Sequence, residues 1–178
     1  MVTYDPYDAL PEVAAFDLTS ASFADGDRLP LAQVGGMLGS GGEDRLPQLS
    51  WSGAPEGVRS YALTCFDPDA PTASGFWHFA AYNIPASVTE LEAGAVQLDT
   101  VTNAFPAAAR VLRNDGGIAG FVGAAPPPGH GDHRYMFVVH ALSVESLELD
   151  ELASPALLGF QLFGTTLGRA RITGTYGH

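Results

Sequence analysis

Hydrophobic positions along the chain recur mostly in short runs bounded by glycine and proline, and only once at helical length. Phe16–Phe23 alternates as a half-buried strand does. Asp25-Gly26-Asp27 reads as the hairpin turn after it, with Leu29–Val34 pairing back. Gly35–Gly42 is a glycine-rich connector, with no lysine or helix after it to make a phosphate loop. Leu49-Ser-Trp51 starts the next strand, Gly53–Gly57 turns, and Arg59–Phe66 is a buried strand. Trp77–Ile84 follows. Period-two alternation there sets His78, Ala80 and Tyr82 on one face and Trp77, Phe79 and Ala81 on the other.

The second half of the chain is less even. Residues 86–102 read as irregular, Ala107–Leu112 is ambiguous, and Asn114–Gly117 is a turn. Tyr135–Leu142 carries the strongest strand signal, because its β-branched and aromatic residues suit a pleated, buried surface. Ser154-Pro155 opens the one helix, with serine as N-cap and proline at the first helical position. The helix is expected to reach about Leu167 and to bury Leu157, Phe160 and Phe163. Arg169–Tyr176 then closes the chain as a strand. Many strands, tight Gly/Pro turns and one helix predict a mainly antiparallel β fold of two packed sheets. Residues 1–15, with Pro6 and Pro11, form a loose arm, and nothing divides residues 1–178 into more than one domain.

Composition changes this picture chiefly through charge. Hydrophobic residues make up 46% of the chain and charged ones 16%, which is ordinary for a packed domain. Twenty acidic residues oppose eight basic ones, all arginine, for a net charge of −12. Such a chain repels nucleic acid and anionic bilayers at long range, so neither nucleic acid nor membrane insertion is expected. The absence of lysine removes Schiff-base chemistry and the P-loop lysine together. The single cysteine, Cys65, has no partner for an internal disulfide, and no apolar stretch is long enough to span a bilayer. A cytoplasmic location is the expectation.

The polar chemistry gathers in two proline-stiffened stretches. The first is Asp67-Pro-Asp-Ala-Pro71 with His78 just beyond it. The second runs from Gly123 through Pro126-Pro-Pro-Gly129 to His130, His133 and Tyr135. If these converge, His78, His133 and Tyr135 offer imidazole and phenol donors to an anion, and the loop before Pro126 offers backbone N–H groups. Asp67 can then accept from the second nitrogen of a histidine, fixing its tautomer and favouring its charged form. The plainer alternative is a set of core histidines satisfied by carboxylates, with Tyr135 packing. A third is a zinc or manganese site built from His130-x-x-His133 and Asp67 or Asp69, although no neighbouring glutamate could serve as base. Arg134 suits a structural bridge to Asp69 or Asp132. Cys65 suits an inert buried thiol, and no Gly-x-Ser-x-Gly elbow supports a serine hydrolase.

These stretches, with Gly75-Phe-Trp-His78, Asn83-Ile-Pro85, Leu49-Ser-Trp51, Gly53-Ala-Pro55 and Thr173-Gly-Thr-Tyr176, resemble the phosphatidylethanolamine-binding protein family, in its bacterial Raf-kinase-inhibitor-like branch. The likeness covers most of the chain in matching order. It implies a large antiparallel sheet packed on a smaller one, with a C-terminal helix and few others. It also implies a small pocket for phosphate-like anions, whose residues carry over to Asp67, Asp69, His78, His133 and Tyr135, with a backbone donor at Ala125. Alanine at 124 and 125 departs from the family's Gly-x-Gly-Pro-Pro loop, and a position there needing positive φ would be strained. Arg45-Leu-Pro47 and Phe121 are further departures that remove no pocket donor.

The resemblance implies a binding role without turnover or cofactor. Its ligand would be a phosphate-like anion or a phospholipid headgroup, bound more weakly as pH rises and imidazoles lose charge. The alternatives are an inhibitor acting on a kinase or serine protease through its surface, and a metal-assisted phosphoesterase. A homodimer is an assembly the resemblance allows.

Overall fold

The computed structural model describes residues 4–36 and 41–178. Part of the glycine-rich connector, residues 37–40, and the first three residues of the arm lie outside the described residues. In chain order the strands are β1 (Ala14–Ala15), β2 (Asp17–Thr19), β3 (Leu49–Ser52), β4 (Ser60–Asp67), β5 (Phe76–Pro85), β6 (Glu90–Leu91), β7 (Arg110–Val111), β8 (His133–Leu142) and β9 (Thr166–Tyr176). One helix, α1 (Pro155–Thr165), precedes β9. Short 3-10 turns occupy Pro6–Ala9 and Leu31–Gln33.

A six-stranded sheet runs β1-β9-β8-β4-β5-β7, and a three-stranded sheet runs β2-β3-β6. All pairings are antiparallel except that of β1 with β9. This is the expected pair of sheets, large on small. The long strands sit centrally because their side chains are apolar on both faces, as in Tyr61-Ala-Leu-Thr-Cys-Phe66, where every residue is buried. Odd-numbered residues of β4 and β8, such as Leu63, Cys65, Tyr135, Phe137 and Val139, pack toward the small sheet with Leu49, Trp51 and Leu91. The opposite face holds Ala62, Ala80, Tyr82 and Leu142 beneath Leu158 and Leu162 of α1. The central position of Phe137, fully buried between Phe23 and Phe121, makes truncation there cost about 3–5 kcal/mol.

Three local expectations need correction. Leu29–Val34 does not pair back on the first strand. It forms the Leu31–Gln33 turn, while Arg28 bridges Thr175 and Val34 bridges Ala124, because Pro30 denies a ladder donor and turns the chain aside. The Asp25–Gly26 turn is present, but it feeds these bridges and closes no hairpin. The helix starts on Ser154, whose hydroxyl accepts from the Leu157 N–H, and on Pro155, as expected. It ends at Thr165, though, and buries Pro155, Leu158 and Leu162, leaving Leu157, Phe160 and Phe163 exposed. Apolar residues surround this helix, so periodicity alone could not choose its buried face.

The third correction concerns β5. Trp77 pairs with Phe66 and Phe79 with Cys65, so His78 is an extra residue in a β-bulge. The bulge breaks strict alternation. Trp77 lies on the α1 face, while His78 turns to the opposite side with Phe79.

Candidate functional site

Four of the expected residues meet at one end of the large sheet. Asp67 ends β4, His78 is the bulge of β5, and His133 and Tyr135 begin β8, two apart and so on one face. All four are at most 6% exposed. Gly75 lets the loop fold back onto β4. It adopts φ +68°, and a Cβ there would fall 2.5 Å from the Phe66 ring and 2.7 Å from the Asp67 carbonyl oxygen.

His133 Nδ1–H donates to Asp67 Oδ2 at 2.7 Å, and the other carboxylate oxygen accepts from the Asp69 N–H at 2.8 Å. On its far side, His133 Nε2 lies 2.9 Å from Nδ1 of the exposed His130. With Nδ1 of His133 committed as donor, the neutral ring accepts from His130 and the charged ring donates to it. Asp67, His133 and His130 therefore form a chain of hydrogen bonds from the buried carboxylate to the surface. Two nitrogens facing each other in this way serve one another and not a common metal. Among the described residues no group of three or more His, Cys, Asp or Glu side chains is disposed to hold a metal ion.

The His78 tautomer is also set. Nδ1 sits 2.7 Å from the Val122 carbonyl, which can only accept, so Nδ1 carries the proton and Nε2 points to Asp67 Oδ2 at 4.0 Å. Burial holds the His78 pKa below its ordinary value, against the Val122 carbonyl and the charge of Asp67. The ring of Tyr135 stands edge-on to His78 at 5.0 Å between centroids. Burial, with the charge of Asp67 next, pushes the phenol pKa far up, so the hydroxyl is a fixed donor. It has no hydrogen-bond partner among the described residues.

Asp69 stands apart from this group. Arg134 Nε donates to Oδ2 and Nη2 to Oδ1, each at 2.7 Å, and the Arg134 N–H adds a third bond of 3.0 Å. Burial opposes the charge of Asp69, but these bonds outweigh it and hold the carboxyl below its usual range. Of the two bridges considered for Arg134, Asp69 is the one formed, and Asp132 lies near Arg28. Cys65 is fully buried and its thiol is pushed well above its ordinary pKa by burial, as an inert thiol would be.

Ala125 lies three residues beyond the carbonyl that His78 holds. Its segment is tethered on both sides. The Ala124 N–H donates to Gln33, its carbonyl accepts from Gly35, and Gly123 N–H donates to Asp44 Oδ1 at 2.7 Å. Neither alanine has positive φ, so the anticipated strain at 124 and 125 is absent. The demand for glycine falls on Gly123, where a Cβ would overlap the backbone of Val34.

Asp44 is the residue the sequence reading missed. Buried and at φ +50°, it accepts from Gly123 through Oδ1 and from Gly36 through Oδ2, both at 2.7 Å. It thereby ties the loop of Ala125 to the connector. Nothing in Glu43-Asp44 marks one acid from the other without the fold.

The fold agrees with what the chain is similar to. Residues 19–177 match the family model described as phosphatidylethanolamine-binding protein. The chain belongs to the phosphatidylethanolamine-binding protein family. It is 43% identical to YbcL of Escherichia coli K12 over 165 residues, 93% of this chain and 89% of that one. It is 41% identical to YbhB of the same organism, over 89% of this chain and 98% of that one. The crystal structure of E. coli YbcL, a new member of the mammalian PEBP family, superposes with a TM-score of 0.87, covering 93% of this chain and 99% of that one. A putative phosphatidylethanolamine-binding protein homolog from Chlamydia trachomatis gives a TM-score of 0.74 at 28% identity, over 92% and 98% of the two chains. Two sheets and one helix make the fold mainly β. Among the described residues no helix is long and apolar enough to cross a membrane.

Proposed function

We propose that this family member is a non-catalytic binding protein whose Asp67–His78–His133–Tyr135 cluster takes phosphate or a phosphorylated headgroup. The observation that carries the reading is the Tyr135 hydroxyl, a buried donor without a partner among the described residues, on a ring that stands against the His78 imidazole. Buried polar groups are rarely left so, and an anion's oxygen would satisfy this one. The ligand sits between Tyr135, His78 Nε2 and the Ala125 N–H, with Asp67 orienting His133. Asp69 supports the loop through Arg134 and does not touch the ligand, since both its oxygens are engaged.

Burial keeps His78 neutral, with Nε2 as an acceptor, until an anion arrives. A bound dianion then favours the imidazolium, so binding takes up a proton and weakens as pH rises. Among the described residues neither His78 nor His133 is hydrogen-bonded to a hydroxyl or thiol, the pairing that nucleophilic catalysis needs. Amide chemical shifts on titration with inorganic phosphate and O-phosphorylethanolamine test the proposal. Shifts grouped at 67–69, 78, 122–125 and 133–135 support it, and the two affinities report whether the ethanolamine matters. No movement there at millimolar ligand would sink it.

A further inference from the structure

The other face of the large sheet holds a second candidate site. A cavity of 240 Å³ lies between the N-terminal arm, the sheet and α1. Its walls are apolar, formed by Leu10, Val13, Phe66, Trp77, Leu162 and Phe163. Leu10 and Phe163 are 39% and 66% exposed, so the cavity opens to solvent between the arm and the helix. At this size, just below the roughly 300–1,000 Å³ of drug-sized pockets, it suits a small occupant.

Three residues of the cavity wall carry buried polar atoms without a partner among the described residues. Five buried side-chain polar atoms lack a hydrogen bond among the described residues, and three of them belong to residues lining it: Tyr7 Oη, Thr64 Oγ1 and Arg169 Nε. Of the other two, one is the Tyr135 hydroxyl of the anion cluster. Thr64 is 1% exposed. Burial raises the Tyr7 pKa to about 12, opposed by a hydrogen-bonding contact with Thr64 that falls short of full hydrogen-bond geometry. Tyr7 therefore stays a donor. Arg169 has no carboxylate within salt-bridge range among the described residues, in contrast to Arg171, which holds Asp5 at 2.5 Å. Its only hydrogen bond there runs from Nη2 to the Pro11 carbonyl at 3.3 Å. His140, 4% exposed in the same wall, is kept neutral by burial and brings no competing charge.

Two hydroxyls and a guanidinium, backed by apolar walls, call for an occupant with an accepting, negatively charged head and a greasy body. We propose that this cavity is a second ligand site, taking a small monocarboxylate with an apolar ring or short chain, its head held by Tyr7, Thr64 and Arg169. Phosphate is excluded by the apolar walls and belongs to the opposite face, so the two sites take different anions.

Amide NMR titrations of the full chain with phenylacetate, phenylacetamide and inorganic phosphate test this. Phenylacetate is expected to move amides at 7–13, 64–66, 159–166 and 169, with phenylacetamide about tenfold weaker or worse and phosphate without effect there. Thr64→Val swaps an unpartnered hydroxyl for a methyl. It should leave Tm unchanged or raised while weakening phenylacetate severalfold, and Arg169→Gln should weaken it about tenfold. Equal binding of the acid and the amide overturns the head assignment. So does a Thr64→Val protein that melts well below the parent, because its hydroxyl would then be bonded within the fold. Silence at millimolar phenylacetate, or shifts confined to 67–78 and 133–135, overturns the site itself.

Discussion

Asp67 and His133 meet at 2.7 Å, carboxylate Oδ2 to imidazole Nδ1, with both side chains almost wholly out of solvent. Removing the acid leaves the His133 donor buried and the Asp69 N–H without its acceptor. Asp67→Ala is expected to lose about 3 kcal/mol in urea unfolding and to abolish phosphate binding. A protein of unchanged stability would show that the pair contributes nothing to the fold.

Tyr135→Phe separates binding from folding. The hydroxyl it removes has no partner among the described residues, so stability should hold within about 0.5 kcal/mol or rise. Phosphate affinity should fall about tenfold, the worth of one hydrogen bond to a charged group. Calorimetric titration and a thermal melt on the same sample read both quantities.

Asp69 and Arg134 are partly exposed, which limits what their paired bonds contribute. Arg134→Lys forfeits the parallel geometry and is expected to cost about 1 kcal/mol. Phosphate affinity should not change, because the ligand does not reach Asp69. A large loss of affinity at constant stability would place Asp69 in contact with the anion.

Asp44→Ala frees a buried N–H on Gly123 and a more exposed one on Gly36. The expected cost is about 1–3 kcal/mol, that of one buried donor left unmet, with phosphate binding lost alongside as the Ala125 loop drifts. Hydrogen exchange at Gly123 and Ala124 should speed up more than exchange in β8. Uniform acceleration would instead mean that the variant merely unfolds more often.

Acid should weaken the fold through its buried histidines. Burial holds His140 at about 3 against an ordinary 6.5, and burial lowers His78 as well. Between those values the unfolded chain carries the His140 proton and the folded one does not. Its contribution is whole above 6.5 and declines as pH falls, by about 1.4 kcal/mol per pH unit. His140→Gln should flatten the decline by that amount between about pH 6 and pH 4, read from urea midpoints. An unchanged slope would mean that His140 is protonated in the native state.

The long elements were legible in the sequence because their composition leaves one choice. Tyr135–Leu142 has the branched and aromatic residues of a buried strand, and Ser154-Pro155 can hardly do other than start a helix. The motifs around Asp67, His78 and His133 were legible as a set. Their handedness was not. His78 faces Tyr135 only because a bulge adds a residue to β5, and no local pattern marks a bulge whose cause lies in the pairing of another strand. The face of α1 was hidden for a related reason, since Leu157, Leu158, Phe160, Leu162 and Phe163 leave no polar side to orient it. Asp44 was invisible because its partners, nearby Gly36 and distant Gly123, offer only backbone, which no side-chain pattern marks.

The parallel ladder of β1 with β9, and the bridge of Arg28 to Thr175, have a consequence for biosynthesis. β9 follows β1 on the nascent chain by on the order of ten seconds at 5–20 residues per second. For that interval β1 lacks its partner, although β2 can already pair with β3. The β8–β9 ladder, ten residues long from His133 to Leu142, must also wait for it. The large sheet therefore closes only after β9 is made, and until then Phe23 and Leu29, which pack against Gly174 of that strand, lack this cover.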